Sequence, residues 1–129
     1  MDRLRILFVD DEEELVSAVV ERLQLRDVDA RGVTTCADGL AEIAARTYDV
    51  VVLDVRMPGS GGLGVLCQIE RMDPRPAVIL LSGHGSSEYK EEGLRHGAYD
   101  YLQKPVDLNK LLDIARRAAG QAPPADEPD

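Results

Sequence analysis

Residues 49–63 read DVVVLDVRMPGSGGL. The run Val50–Leu53 is continuously β-branched and aliphatic, the composition of a strand buried on both faces rather than one with a wet side. It ends on a carboxylate, Asp54, followed by a loop holding Gly59, Gly61 and Gly62. A charge at the end of a dry strand is costly unless a partner neutralises it. The stretch therefore asks what else the fold gathers at that strand end.

Strand-length apolar runs recur on either side: RILFV at 5–9, a weaker VDARGV at 28–33, DVVVL at 49–53, AVILL at 77–81 and AYDYL at 98–102. Helical periodicity fills the gaps. Glu12 to Leu25 carries Leu15, Val16, Val19, Val20 and Leu23 on one side, with acids in its first turn where the helix dipole favours them. Asp38 to Arg46, capped near Ala37 or Asp38, presents Leu40, Ile43 and Ala44, and Leu63 to Met72 presents Leu63, Leu66 and Ile69 before the stop DPRP. Ser86 to His96 is the most polar segment, with Tyr89 and Leu94 as its main apolar residues, and its Gly93 costs about 1 kcal/mol relative to alanine. It is expected to be exposed and the loosest of the helices. The last helix runs from about Asp107 to Ala119 with Leu108, Leu111, Leu112 and Ala115 inward, and the tail QAPPADEPD is too polar and proline-rich to pack. One domain over 1–119 and a disordered tail or linker over 120–129 are expected.

Strands alternating with helices predict an α/β, doubly wound domain: a five-stranded parallel sheet of flavodoxin-like order 2-1-3-4-5, with its ligand site outside the strand C-termini, where strands one and three diverge. Asp54 ends the third strand, and Asp10 and Asp11 end the first. Clustered carboxylates repel and raise one another's pKa unless a cation or basic side chain sits among them. An all-oxygen set of this kind suits Mg²⁺, which retains waters and shares phosphate oxygens. Lys104, in YLQKP, brings a positive charge to the same sheet edge, and Ser82, in LLSGHG, a hydroxyl. The set predicts phosphoryl transfer onto a carboxylate: Asp54 as nucleophile, the metal and Lys104 holding phosphoryl oxygens, Ser82 hydrogen-bonding one of them. The glycines after Asp54 permit a tight turn and close backbone approach.

Taken in order, ILFVDDEEE, VVLDVRMPGSGGL, VILLSGHGS and GAYDYLQKPVDLNKLL resemble the receiver domain of two-component response regulators over nearly the whole chain. SGHGS and GAYDYLQKP look most like the NtrC-type subset. The resemblance implies that Asp10 and Asp11 bind Mg²⁺, that Asp54 is the phosphoacceptor, and that the Arg56 carbonyl completes the metal ligands. It further implies a Ser82 switch hydroxyl, the phosphate-binding Lys104, an aromatic switch at Tyr101 and a cis peptide before Pro105. A histidine kinase or histidine phosphotransfer protein would donate the phosphoryl group, and the face of helix four, strand five and helix five would respond. The domain would catalyse only its own phosphotransfer and autodephosphorylation and is not expected to be an enzyme otherwise. Arg56 and His84 are expected to flank the mouth where hydrolytic water enters, and so to lengthen the phosphoryl lifetime.

Composition narrows the alternatives. With 15 Lys and Arg against 24 Asp and Glu, the net charge of -9 repels nucleic acid and anionic membranes. No apolar run approaches the ~20 residues that span a bilayer, and no signal-peptide pattern opens the chain, so a cytoplasmic location is expected. Cys36 and Cys67 lack paired zinc spacing and are expected to be small, partly buried apolar residues; His96 and Tyr99 are expected to be surface or packing residues. A haloacid-dehalogenase-like phosphatase would want a second carboxylate where Arg56 stands. A flavodoxin-like cofactor module is opposed by DDEEE, since a bound phosphate needs N–H groups or cations there. A phosphorylation-independent receiver-like interaction module is the remaining alternative. The residues after helix five are not expected to form an output domain, and both a stand-alone receiver and one cut from a longer protein fit the sequence; the downstream target stays open.

Overall fold

In the computed structural model, which describes residues 3–57, 61–83 and 87–120 without the side chains of 87–89, strands and helices alternate. They are β1 (Arg5–Val9), α1 (Glu13–Leu25), β2 (Asp29–Val33), α2 (Cys36–Ala45), β3 (Val50–Asp54), α3 (Gly61–Glu70), β4 (Ala77–Ser82), α4 (Ser87–Arg95), β5 (Asp100–Gln103) and α5 (Leu108–Ala119). The strands form one parallel sheet in the order β2-β1-β3-β4-β5, as the sequence predicts.

The sheet separates two apolar layers, and the period of two along each strand decides which residue enters which. Ile6, Phe8, Val50, Val52, Ile79, Leu81 and Leu102 pack with α1 and α5. Leu7, Val9, Val51, Leu53, Val78 and Leu80 pack with α3, joined by the half-buried Tyr101. Because β3 lies in the middle of the sheet, all of Val50–Asp54 is buried, which explains its unbroken apolar run. The weak patterning of 28–33 has the complementary cause: β2 is an edge strand whose Arg31 and Gly32 are exposed.

Several boundaries differ from the sequence expectation for local reasons. α2 begins at Cys36, capped by Thr35 rather than by Ala37 or Asp38, because the Thr35 hydroxyl accepts the Asp38 N–H at 3.0 Å. α3 starts at the glycine pair Gly61–Gly62, where Gly61 has φ +73, and ends at Glu70, two residues short of the expected Met72. β3 is shifted by one residue, so that Asp54 is its last member.

α4 departs most. Gly93, read from sequence as a liability, is buried, and a β-carbon there would collide with Leu80 Cδ1 and lie 3.8 Å from Leu63. Leu94 is 41% exposed, in keeping with the exposure expected of this helix. The helix thus approaches the sheet on its glycine, which spares room for Leu80. Tyr89's side chain, His84 and the tail 121–129 lie outside the described residues, as do Pro58, Gly59 and Ser60. On α5, Ile114 and Ala118 join the predicted Leu111, Leu112 and Ala115 in the core.

Candidate functional site

Asp54 keeps the strand parity of Val50 and Val52, and Asp10 that of Ile6 and Phe8, so both carboxylates extend from the sheet face covered by α1 and α5. Lys104 follows Leu102 with the same parity. Adjacency of β1 and β3 brings the two acids together, and the chain entering α5 brings the lysine over them.

The two buried acids are held alike. Asp10 Oδ1 accepts the Glu12 N–H at 2.9 Å, and Asp54 Oδ1 accepts the Arg56 N–H at 2.9 Å. Each is a carboxylate bonding its own backbone two residues on, a turn chemistry short acids favour. With one oxygen fixed, the other faces Lys104: Nζ lies 2.8 Å from Asp10 Oδ2 and 3.1 Å from Asp54 Oδ2. Glu12 Oε1 adds a third contact at 3.2 Å. Lys104 is itself anchored, its N–H donating to the Ser82 carbonyl at 2.7 Å, and the Lys104–Pro105 peptide is cis as the resemblance implies.

These contacts set the protonation balance. Asp10 is fully buried, and burial pushes its carboxyl above the ordinary range; the Lys104 contact and the Glu12 N–H pull it back, and the Asp54 charge pushes it up again. For Lys104 burial works against the charge, but Asp10 and Asp54 outweigh it and raise the ammonium pKa, so it stays protonated at neutral pH.

Asp10, Asp11 and Asp54 place a ligand oxygen each within 4.8 Å of one another, with Asp11 exposed at the rim. Although Lys104 is close, Asp10 Oδ2 is buried with no aligned hydrogen-bond donor among the described residues. A buried, unaligned carboxylate oxygen facing two more carboxylates fits a hard divalent cation well.

Ser82 and Tyr101 have the opposite strand parity. Ser82 is fully buried with the parity of Val78 and Leu80, on the opposite face, and among the described residues its hydroxyl makes a long 3.4 Å contact to the Gly83 carbonyl. Tyr101 belongs to that same face, with Lys90 Nζ 5.6 Å from its ring centroid. Arg56 is exposed beside Asp54, whereas His84 lies outside the described residues. Glu12, absent from the expected set, is the one addition; its position as the third acid of DDEEE was the available signal. Tyr99 packs against the α1/α5 layer, and both cysteines are partly buried. Among the described residues no helix is long and apolar enough to cross a membrane.

The chain is similar to known proteins over most of its length. The family model described as response regulator receiver domain matches residues 6–116. The nitrogen assimilation regulatory protein NtrX of Azorhizobium caulinodans is 37% identical over 115 residues, covering 88% of this chain and 25% of the relative. The C4-dicarboxylate transport transcriptional regulatory protein DctD of Pseudomonas aeruginosa is 38% identical over 117 residues, again 88% and 25%. This chain thus spans about a quarter of these relatives. Among solved structures, the receiver domain of NtrX from Brucella abortus superposes with TM-score 0.83 at 34% identity, covering 91% of this chain and 99% of that one.

Proposed function

This chain belongs to the response regulator receiver domain family, with relatives of the NtrX and DctD kind, and from that premise we propose that it is a switch operated by phosphorylation of Asp54. The observation that carries the reading is the single Lys104 ammonium shared by two buried carboxylates, each with its other oxygen tied to backbone.

A carboxylate oxygen of Asp54 forms a bond to the phosphorus of a phosphohistidine. The N–P bond breaks, and the departing imidazole nitrogen keeps the electron pair. The Arg56 N–H holds Asp54 in position for attack. Lys104, held on Asp54, moves its charge to a phosphoryl oxygen as negative charge shifts outward. Asp10, Asp11 and Asp54, with the Arg56 carbonyl, would hold Mg²⁺, which supplies charge neutralisation for the phosphoryl oxygens when bound.

The phosphoryl group carries about -1.5 to -2 charges, while the Asp54 carboxylate gives up its own negative charge in forming the acyl phosphate. The Ser82 hydroxyl, 3.4 Å from the Gly83 carbonyl, turns toward it. Tyr101, on the same sheet face as Ser82, then moves relative to α4. A differential interaction of about 1–3 kcal/mol shifts the population about 5- to 150-fold. The phosphoryl donor is a histidine kinase or histidine phosphotransfer protein, and the setting is the cytoplasm. The chain acts only on itself, by phosphotransfer and slow hydrolysis, with Arg56 and His84 guarding the approach of water. Equal decay rates for wild type and an Arg56→Asn, His84→Glu double variant would remove that last role.

The test is intact-protein mass after incubation with acetyl phosphate and Mg²⁺. One phosphoryl adduct is expected in wild type, and none in Asp54→Asn or after chelation. Absence of an adduct in every condition would leave a receiver-like module that signals through contacts alone.

A further inference from the structure

A second cluster of metal-ligating side chains lies away from the carboxylate site, toward the other end of α3. Cys67 and Glu70 are three residues apart on α3 and so share a helix face. His96 follows the last residue of α4 and closes against them: its Nδ1 stands 3.2 Å from Glu70 Oε1. One donor atom from each of Cys67, Glu70 and His96 falls within 4.8 Å of the other two. The side chains of Glu70 and His96 are 38% and 39% exposed, and Cys67 is partly buried, so an ion can reach them from solvent.

We propose that Cys67, Glu70 and His96 form a binding site for a thiophilic divalent cation of the zinc type, joining α3 to the C-terminal end of α4. Thiolate sulfur, imidazole nitrogen and carboxylate oxygen are the donors zinc takes, at about 2.0–2.3 Å each, and three protein ligands leave a fourth position for water. A sulfur and a nitrogen donor set this site against magnesium, which takes oxygen, so the two sites choose different ions. On binding, the thiol proton and any proton on His96 Nδ1 pass to solvent. Arg75 donates through Nη1 to the Glu70 carbonyl at 3.0 Å rather than to its carboxylate. The site is assembled by tertiary structure: 26 residues separate Glu70 from His96, and no Cys-x-x-Cys or His-x-x-x-His spacing marks it in the sequence.

The ion would tie down α4, which the sheet holds through the close approach of Gly93 to Leu80. Co²⁺ is the probe, because a thiolate ligand gives a near-ultraviolet charge-transfer band that carboxylate ligands do not. Titration of the purified chain should produce that band, saturating at one equivalent, reversed by Zn²⁺ and indifferent to excess Mg²⁺. The band should vanish in Cys67→Ser, persist in Cys36→Ser and Asp54→Asn, and require at least about tenfold more Co²⁺ in His96→Gln. In the unmodified chain, Zn²⁺ should also slow alkylation of Cys67 but not of Cys36. No band, a band that survives Cys67→Ser, or equal affinity in His96→Gln would overturn the site.

Discussion

Gly62, in the first turn of α3, rests on the backbone of Asp54: a β-carbon there would overlap the Asp54 carbonyl oxygen and stand 2.8 Å from the carbonyl carbon. The glycine-rich loop therefore has a packing reason beyond turn formation. It lets a helix begin directly against the residue that ends β3. Gly62→Ala is expected to lower stability by about 1–3 kcal/mol, as overpacking does, and to slow phosphoryl uptake by displacing Asp54. Urea unfolding and the acetyl phosphate assay check the two effects; an alanine variant as stable as wild type would contradict the contact.

Lys104 and Asp10 should be energetically coupled. Replacing Lys104 by methionine leaves Asp10, fully buried, and Asp54 facing each other without a cation. Lys104→Met is expected to destabilise the metal-free protein, and Asp10→Asn in that background to recover part of the loss. The double-mutant cycle should give a coupling of about 0.5–3 kcal/mol. Additive effects would mean that the 2.8 Å contact carries no energy.

Mg²⁺ should raise thermal stability in proportion to occupancy, by about 2.7 kcal/mol at a concentration 100 times Kd. Asp11 is exposed, so Asp11→Asn should change metal-free stability by no more than about 0.5 kcal/mol. It should nevertheless remove much of the Mg²⁺ effect. Melting curves with Mg²⁺ and with chelator separate the two contributions.

Gly93 offers a contest of signs. Helix propensity favours Gly93→Ala by about 1 kcal/mol, whereas the collision with Leu80 opposes it. Overpacking at about 1–3 kcal/mol should prevail, so the alanine variant is expected to be less stable. With Leu80→Ala present, which opens space, the same substitution should become stabilising.

Alkaline stability should depend on Tyr48. Its hydroxyl donates to Glu42 Oε1 at 2.5 Å, and burial together with that carboxylate raises its pKa above the ordinary tyrosine value. The folded state therefore keeps the proton where the unfolded chain releases it. The stabilisation is complete below about pH 10 and declines as pH rises beyond that toward the raised value. Tyr48→Phe should be less stable by about 1 kcal/mol at neutral pH. The gap should narrow in alkali, which paired urea titrations at neutral and high pH would show.

Sequence alone determined the order and type of the elements, because strand burial and helical periodicity are local patterns: the unbroken VVVL of 50–53 could only be a central strand. It also determined which carboxylates meet, since in this topology strands one and three are neighbours and both end on aspartate. The tertiary structure decided what one-dimensional patterns cannot hold. Whether Gly93 is a defect or a contact depends on Leu80, a residue of another element. Thr35 caps α2 through a hydroxyl whose reach depends on where the chain leaves β2. Glu12 joins the site because Lys104, 92 residues away, arrives over it. Cys67, Glu70 and His96 converge only because α4 ends beside α3. Periodicity records which side of an element is dry, but a pairwise distance between side chains appears only once the layers have packed.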